Sequence, residues 1–359
     1  MDEPRWKYVG RNAYKERHGY MARDLVLILD TNTGAQGIGP SRASQEDAHR
    51  LLGRDPLAFL LEGQGVRSPL HRFDAPIWDL IGKLLARPVW QILGGHGPEW
   101  VPVYDGSLYF SDLEPEYAGR GVERILVEVD HALERGHRAF KLKIGRGFKW
   151  MEREEGFRRD VQVVRGVRQH LEPAMKLMVD ANNGYDLEGA KRFLDEAGVE
   201  LFFVEEMFEE RVRPVLEFKE WLRSRGWRTL IADGETVADP ARYRPFIRSR
   251  AIDVLQGNVL VFGFQRLLDL SRITAPEGIM LAPNNWDSML GHYMQLALGR
   301  GIPNLLTAEE DPGESPLFDV SAFELREGRR RVPDMPGCGW ALRTELLEAT
   351  SRPRWTLST

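Results

Sequence analysis

Residues 177–205 read LMVDANNGYDLEGAKRFLDEAGVELFFVE. An apolar run ends in Asp180, a polar loop follows, and residues 188–197 carry the pattern of an amphipathic helix. Gly198 stops that helix, and a second apolar run ends in Glu205. Neither run alternates apolar with polar residues, so each reads as a strand buried on both faces. Two such strands joined by a helix make a parallel pair. Working outward, similar runs occupy 101–104, 139–144, 229–233, 252–256, 278–282 and 305–308. Most recur at the length of a strand-plus-helix unit. Residues 152–170 read as another connecting helix, with Pro173 as its stop. Eight such runs predict an α/β sheet closed into a barrel rather than an open doubly wound one.

The ends of the chain follow a different pattern. Residues 24–30 predict a strand, 31–34 a turn, and 44–61 and 75–85 two helices. Residues 1–100 are therefore expected to form a small α+β domain beside a barrel of residues 101–320. The tail, 321–359, lacks a further strand–helix unit and is expected to fold back onto that domain. Its basic run Arg329-Arg330-Arg331 predicts a solvated turn, and Gly145-Arg146-Gly147, which lacks the rest of a phosphate-loop pattern, reads as a turn.

At 42% hydrophobic and 29% charged residues, a chain of 359 residues can bury the core that such a barrel needs. A net charge of -5 and a pI near 6.0 leave no electrostatic footprint for nucleic acid. The longest apolar runs, such as 25–29, are too short to span a bilayer. The opening MDEPRWKYVG holds no apolar h-region, so no signal peptide is expected. The single cysteine, Cys338, agrees with a reducing compartment. A cytoplasmic homo-oligomer acting on a small molecule, with no nucleic-acid or membrane partner, is the expectation.

Catalytic groups of a parallel barrel sit at the C-terminal strand ends, so the polar residue closing each run is the informative one. Three close in carboxylates: Asp180, Glu205 and Glu235. Singly, each is more often a cap or a solvated charge. On successive strands they meet, repel one another and call for a cation. An all-oxygen set suits Mg2+, with Mn2+ as the alternative. Glu206 must face away from Glu205, whereas Asp233 shares the phase of Glu235 and competes with it. One strand earlier, Lys141 and Lys143 stand two residues apart and face the same way. Core packing does not explain two buried lysines. Each should disfavour charge on the other and lower its pKa, which makes a base of one. His292, within a predicted helix at 289–298, reads as structural.

The sequence resembles the enolase superfamily, in the branch typified by mandelate racemase and muconate lactonizing enzyme. The resemblance rests on WDLIGKLLARPVWQILGG (78–95), FKLKIG (140–145), VDANNGYD (179–186), FVEEMFEE (203–210), ADGET (232–236) and VPDMPGCGW (332–340). It implies a modified TIM barrel, (β/α)7β, under an N-terminal capping domain completed by the C-terminal tail. It also implies metal ligands at Asp180, Glu205 and Glu235, a base at Lys143 and its partner at Lys141. The shared chemistry is removal of the proton α to a carboxylate, giving an enediolate held by Mg2+. In this sequence Asn258 and Asn284 stand where relatives carry a second acid or base, and asparagine exchanges no proton near neutrality. Met207 replaces a proline and Pro40 a glutamate. Dehydration of a sugar acid is the expected outcome. The alternatives are a racemase or epimerase of a 2-hydroxy acid, and a carboxylate-binding protein that has lost turnover. Asn182, Asn258, Asn284, Asn285 and Tyr104 are the expected substrate contacts, with Tyr104, Lys141 or Lys143 itself once protonated as candidate acid. His18, Lys15 and Tyr20 are the capping-loop candidates for an acid on the second face.

Overall fold

Strands β1 (Val26–Asp30) and β2 (Gln36–Pro40) pair antiparallel through the turn at Gly34, whose φ of 83° suits glycine. Helix α1 (Asp74–Leu84) packs on this hairpin. This computed structural model describes residues 11–16, 25–235, 239–285, 288–311, 313 and 315–358. The helix predicted over 44–61 is mostly absent. Ser44 closes a capping box on a single turn, Gln45–Ala48, and a 3-10 turn, Pro56–Phe59, follows separately. Gly53 at φ 68° and the missing amide hydrogen of Pro56 break the run that the apolar pattern suggested.

The repeating unit builds the rest. The strands are β3 (Trp100–Leu108), β4 (Ala139–Lys143), β5 (Lys176–Asp180), β6 (Phe203–Glu205), β7 (Leu230–Asp233), β8 (Val254–Leu255), β9 (Met280–Leu281) and β10 (Ala308–Glu310). Between them run α2 (Val122–Arg135), α3 (Arg153–His170), α4 (Leu187–Ala197), α5 (Val212–Ser224), α6 (Arg244–Ser249), α7 (Val259–Thr274) and α8 (Met289–Gly301). Local chemistry sets their ends: the Asp186 side chain caps α4 at Gly189, and Gly198 closes it in the left-handed conformation. From β3 to β9 each strand pairs in parallel with the next, and β10 pairs in parallel with β3. A parallel bridge between Leu281 and Leu305 joins β9 to the run into β10. This is the (β/α)7β architecture, and β10 begins three residues later than the apolar run suggests.

Seven strands each contribute one side chain to an apolar layer: Tyr104, Ala139, Met178, Phe203, Ala232, Val254 and Ala282. Two residues further along, the same face carries Gly106, Lys141, Asp180, Glu205, Gly234, Gln256 and Asn284. The barrel thus has an apolar floor under a polar rim. The register puts Lys143 beside Asp180 and Asp180 beside Glu205.

The C-terminal tail returns to the first hundred residues. Cys338 N donates to Asp79 Oδ1 (2.8 Å), Trp340 Nε1 to Ile38 O (3.3 Å), and Val89 N to Gly337 O (2.8 Å). Asp74, at the start of α1, accepts from Phe264 N and Gln265 N, where Gly263 breaks α7. The run Arg329–Arg331 is not a solvated turn. It pairs antiparallel with β3, and Arg330 turns inward to Glu310, because the start of β3 offers an open edge and Glu310 a buried charge.

Candidate metal centre and its lysines

Carboxylate oxygens of Asp180, Glu205 and Glu235 all lie within 4.8 Å of one another. Asp180 and Glu205 arrive by strand register, whereas Glu235 arrives by a turn. Ala232 faces the floor, so regular alternation would turn both Asp233 and Glu235 outward. Gly234, at φ 125°, breaks that alternation and brings Glu235 inward. Asp233 lies outside the trio; burial and then the Glu210 charge push its buried carboxyl well above the usual range, with Glu235 and Asp180 adding to the rise. Glu206 is also outside the trio; its carboxylate accepts from Asn182 Nδ2 (3.5 Å).

The trio suits a hard divalent cation. All its donors are oxygens, and Glu205 Oε1 is buried with no hydrogen-bond partner among the described residues. Burial, and then the charge of Asp180, push the Glu205 carboxyl well above its usual range. Burial and Asp180 also raise Glu235, against the pull of Lys143. Carboxylates that repel one another in a dry site are what a bound cation relieves.

Lys141 is fully buried, with its Nζ 2.8 Å from Glu205 and 2.8 Å from Glu309. Lys143 pairs with Asp180 at the edge of the trio. The mutual lowering expected of the two lysines is not seen. Burial does oppose both charges. It is the largest single influence at each, but Glu205 and Glu309 lead a set of anions that together outweigh it at Lys141. Asp180, Glu235 and Glu205 together outweigh burial and Lys141 at Lys143, so both pKa values rise. Carboxylates outnumber ammonium groups here, and the pair argument left them out.

The expected substrate contacts are more committed than their sequence positions suggest. Asn258 caps α7, its Oδ1 accepting from Leu260 N and Val261 N, and its Nδ2 donates to Asn284 Oδ1 (2.8 Å). Asn284 Nδ2 donates to Glu235 (2.8 Å) and Glu309 (3.1 Å). Asn285 donates through its amide to Glu309 and through its side chain to Ser288 O. Asn182 bonds Asp180 through its backbone N (2.8 Å), and its Oδ1 is buried without a partner among the described residues. Tyr104 lies in the apolar floor at 0% exposure, one layer below the rim; Lys141 Nζ is 5.4 Å from its ring centroid, and its hydroxyl is buried without a partner among the described residues. His292 is structural as expected: burial lowers its pKa to about 4, and Nδ1 contacts Glu309 O. Of the capping-loop candidates for a second-face acid, His18 and Tyr20 lie outside the described residues. The third, Lys15, donates its backbone N to Asn12 Oδ1.

Two groups escaped the sequence reading. Glu309 grips Lys141, Asn284 and Asn285 from the end of β10. Reading the closing residue of the eighth run would have found it, but that run was ended one residue early. A Cβ on Gly106 would lie 2.5 Å from Glu309 Oε1, so the glycine on β3 makes its room. Arg146 is fully buried between Asp112 and Asp160, while Gly145 N also donates to Asp160 (2.7 Å). Gly145 alone is the turn, and Arg146 starts a short helix, Arg146–Lys149. Nothing local in the sequence marked its distant partner Asp112.

The model of the family described as enolase C-terminal domain-like matches residues 124–346. The D-galactarolactone cycloisomerase of Agrobacterium fabrum is 26% identical over 92% of this chain and 91% of its own length. A galacturonate dehydratase from Geobacillus sp., solved with D-galacturonate and 5-keto-4-deoxy-D-galacturonate, is 31% identical. It superposes with a TM-score of 0.88, covering 95% of this chain and 92% of that one. A mandelate racemase/muconate lactonizing protein from Geobacillus sp. Y412MC10, complexed with magnesium and tartrate, is 30% identical with a TM-score of 0.88, covering 95% and 90%.

Proposed function

The chain belongs to the enolase C-terminal domain-like family, within the enolase superfamily, and on that premise we propose that it dehydrates a sugar acid. The observation that carries this reading is Lys143 at the edge of the Asp180, Glu205 and Glu235 trio, with amides and no second proton-transfer group among the described residues that close β8 and β9. Mg2+ is the cation proposed for the trio, and Mn2+ fits the same oxygens. An ion held by the trio would supply Lewis-acid stabilisation to charge gathering on the substrate carboxylate, and Asp180 as its ligand would be drawn from Lys143. Lys143 takes the α-proton as the free amine, and Lys141 holds Glu205 and Glu309 in place. Asn182, Asn284 and Asn285 are proposed to face substrate hydroxyls with the capacity left to them, and Asn258 to act through Asn284. Residues 1–100 with 321–359 are proposed as the cap over the barrel of 101–320, which the contacts of Cys338 and Trp340 support.

The substrate is proposed to be a polyhydroxy carboxylate of the uronate or aldonate kind. The galacturonate dehydratase likeness supports this, since its two bound compounds differ by one water across the bond next to the carboxylate. A racemase is disfavoured, because Asn258 and Asn284 cannot protonate the opposite face. A cytoplasmic address is supported by one buried free cysteine, and no described helix is long and apolar enough to cross a membrane. A homo-oligomer is proposed with it and is checked by light scattering. The test of function is a panel of sugar acids, D-galacturonate first, incubated with Mg2+ and assayed for 2-keto acid. Metal-dependent product from any member supports the reading. Binding throughout the panel without product would favour a carboxylate-binding protein.

A further inference from the structure

Dehydration needs a proton for the departing β-hydroxyl, and the candidates drawn from the sequence are Tyr104, Lys141 and Lys143 once protonated. Tyr104 is in the floor, Lys141 is gripped by Glu205 and Glu309, and the side chains that close β8 and β9 are amides. Just past the end of β3 stands a second tyrosine, Tyr109, which no reading of strand ends singled out. Its ring lies beside the proposed base, with Lys143 Nζ 5.7 Å from the centroid. The charges of Asp311, Glu309, Lys141 and Glu235 all act on its hydroxyl. The residue is only 6% exposed. Its backbone is fixed: Tyr109 N donates to Ser107 O (3.1 Å), and Phe110 N to Arg11 O (3.1 Å).

We propose that Tyr109 donates the proton that turns the departing β-hydroxyl into water, from the same side as Lys143; this rests on the dehydration reading. Lys143 takes the α-proton, and the C–H electron pair becomes the new C=C bond. The C–O bond breaks with its pair on oxygen, and the Tyr109 proton completes the water. The enol then tautomerises to the 2-keto acid. The phenolate regains a proton from the Lys143 ammonium, directly or through one water, and both groups are reset. Burial, and then Asp311 and Glu309, raise the tyrosine pKa well above the usual value, so the hydroxyl carries its proton at working pH.

The test uses the Mg2+-loaded full chain, the sugar acid that turns over in the panel, and Tyr109→Phe. A leaving-group acid contributes about a hundredfold or more, so dehydration should fall at least that far. Exchange of the α-proton with D2O, followed by proton NMR, should persist within several-fold. An analogue with chloride in place of the β-hydroxyl needs no proton to leave, and the variant should eliminate it at close to the unaltered protein's rate. Loss of exchange together with dehydration would overturn the proposal and make Tyr109 a support of Lys143. Unchanged dehydration would overturn it as well. No turnover of any acid by the unaltered protein would overturn the dehydration reading and this assignment with it, whereas the Tyr109→Phe results bear on the assignment alone.

Discussion

The two halves of the barrel rim occupy equivalent strand-end positions and carry opposite chemistry. On β4, β5 and β6 these positions hold Lys141, Lys143, Asp180 and Glu205, ion-paired yet leaving Glu205 Oε1 without a partner among the described residues. At the ends of β8 and β9 they hold Gln256, Asn258 and Asn284. Gln256 donates to Glu205 (2.8 Å), while Asn258 and Asn284 bond each other and the acids nearby. Amides fix geometry without exchanging protons, while close carboxylates and ammonium groups are costly to bury unless something uses them. The difference is what the proposed one-sided chemistry requires, with the asparagine half serving as a shaped wall.

The largest expected effect is on the charged half. Glu205→Ala removes the carboxylate with the unpaired oxygen and should abolish Mg2+-dependent turnover. Mg2+ binding, followed by titration calorimetry, should weaken beyond detection while the circular dichroism spectrum stays folded. Mg2+ binding of unaltered affinity in that variant would show that the trio is not the centre. The asparagine half should respond far less. Asn284→Ala leaves hydrogen bonds to Glu235 and Glu309 unmade, a cost of about 1–3 kcal/mol, or roughly five- to 150-fold in kcat/KM. The shape of its pH–rate profile should not change, because no proton-transfer group is lost; a limb of the profile disappearing would reveal hidden acid–base work there. Smallest is Asn258→Ala. Loss of the α7 cap should lower stability by about 1 kcal/mol, read as a shifted denaturant midpoint with unchanged slope.

This contrast was only partly legible in the sequence. The eight strands were, because strands buried on both faces print continuous apolar runs. Asp180 and Glu205 were legible too, since each closes such a run. Glu235 was named with them, but the reason it turns inward was not legible, because that depends on the φ of Gly234 against the two-residue alternation. The 44–61 segment was misread because apolar spacing outvoted Gly53 and Pro56. Glu309 was hidden by a strand end placed one residue early. The lysine pKa directions depend on how many carboxylates gather around each amine, and that is set by tertiary structure. Tyr109 follows the end of β3, where no strand-end rule applies.

The most direct measurement is deuterium incorporation at the substrate α-carbon in D2O with Mg2+, comparing Lys143→Ala with Asn284→Ala. The account predicts that incorporation vanishes in Lys143→Ala and survives in Asn284→Ala at a rate reduced no more than its kcat/KM. Incorporation that persists in Lys143→Ala, or is lost only in Asn284→Ala, would contradict it and move the base to the other half of the rim.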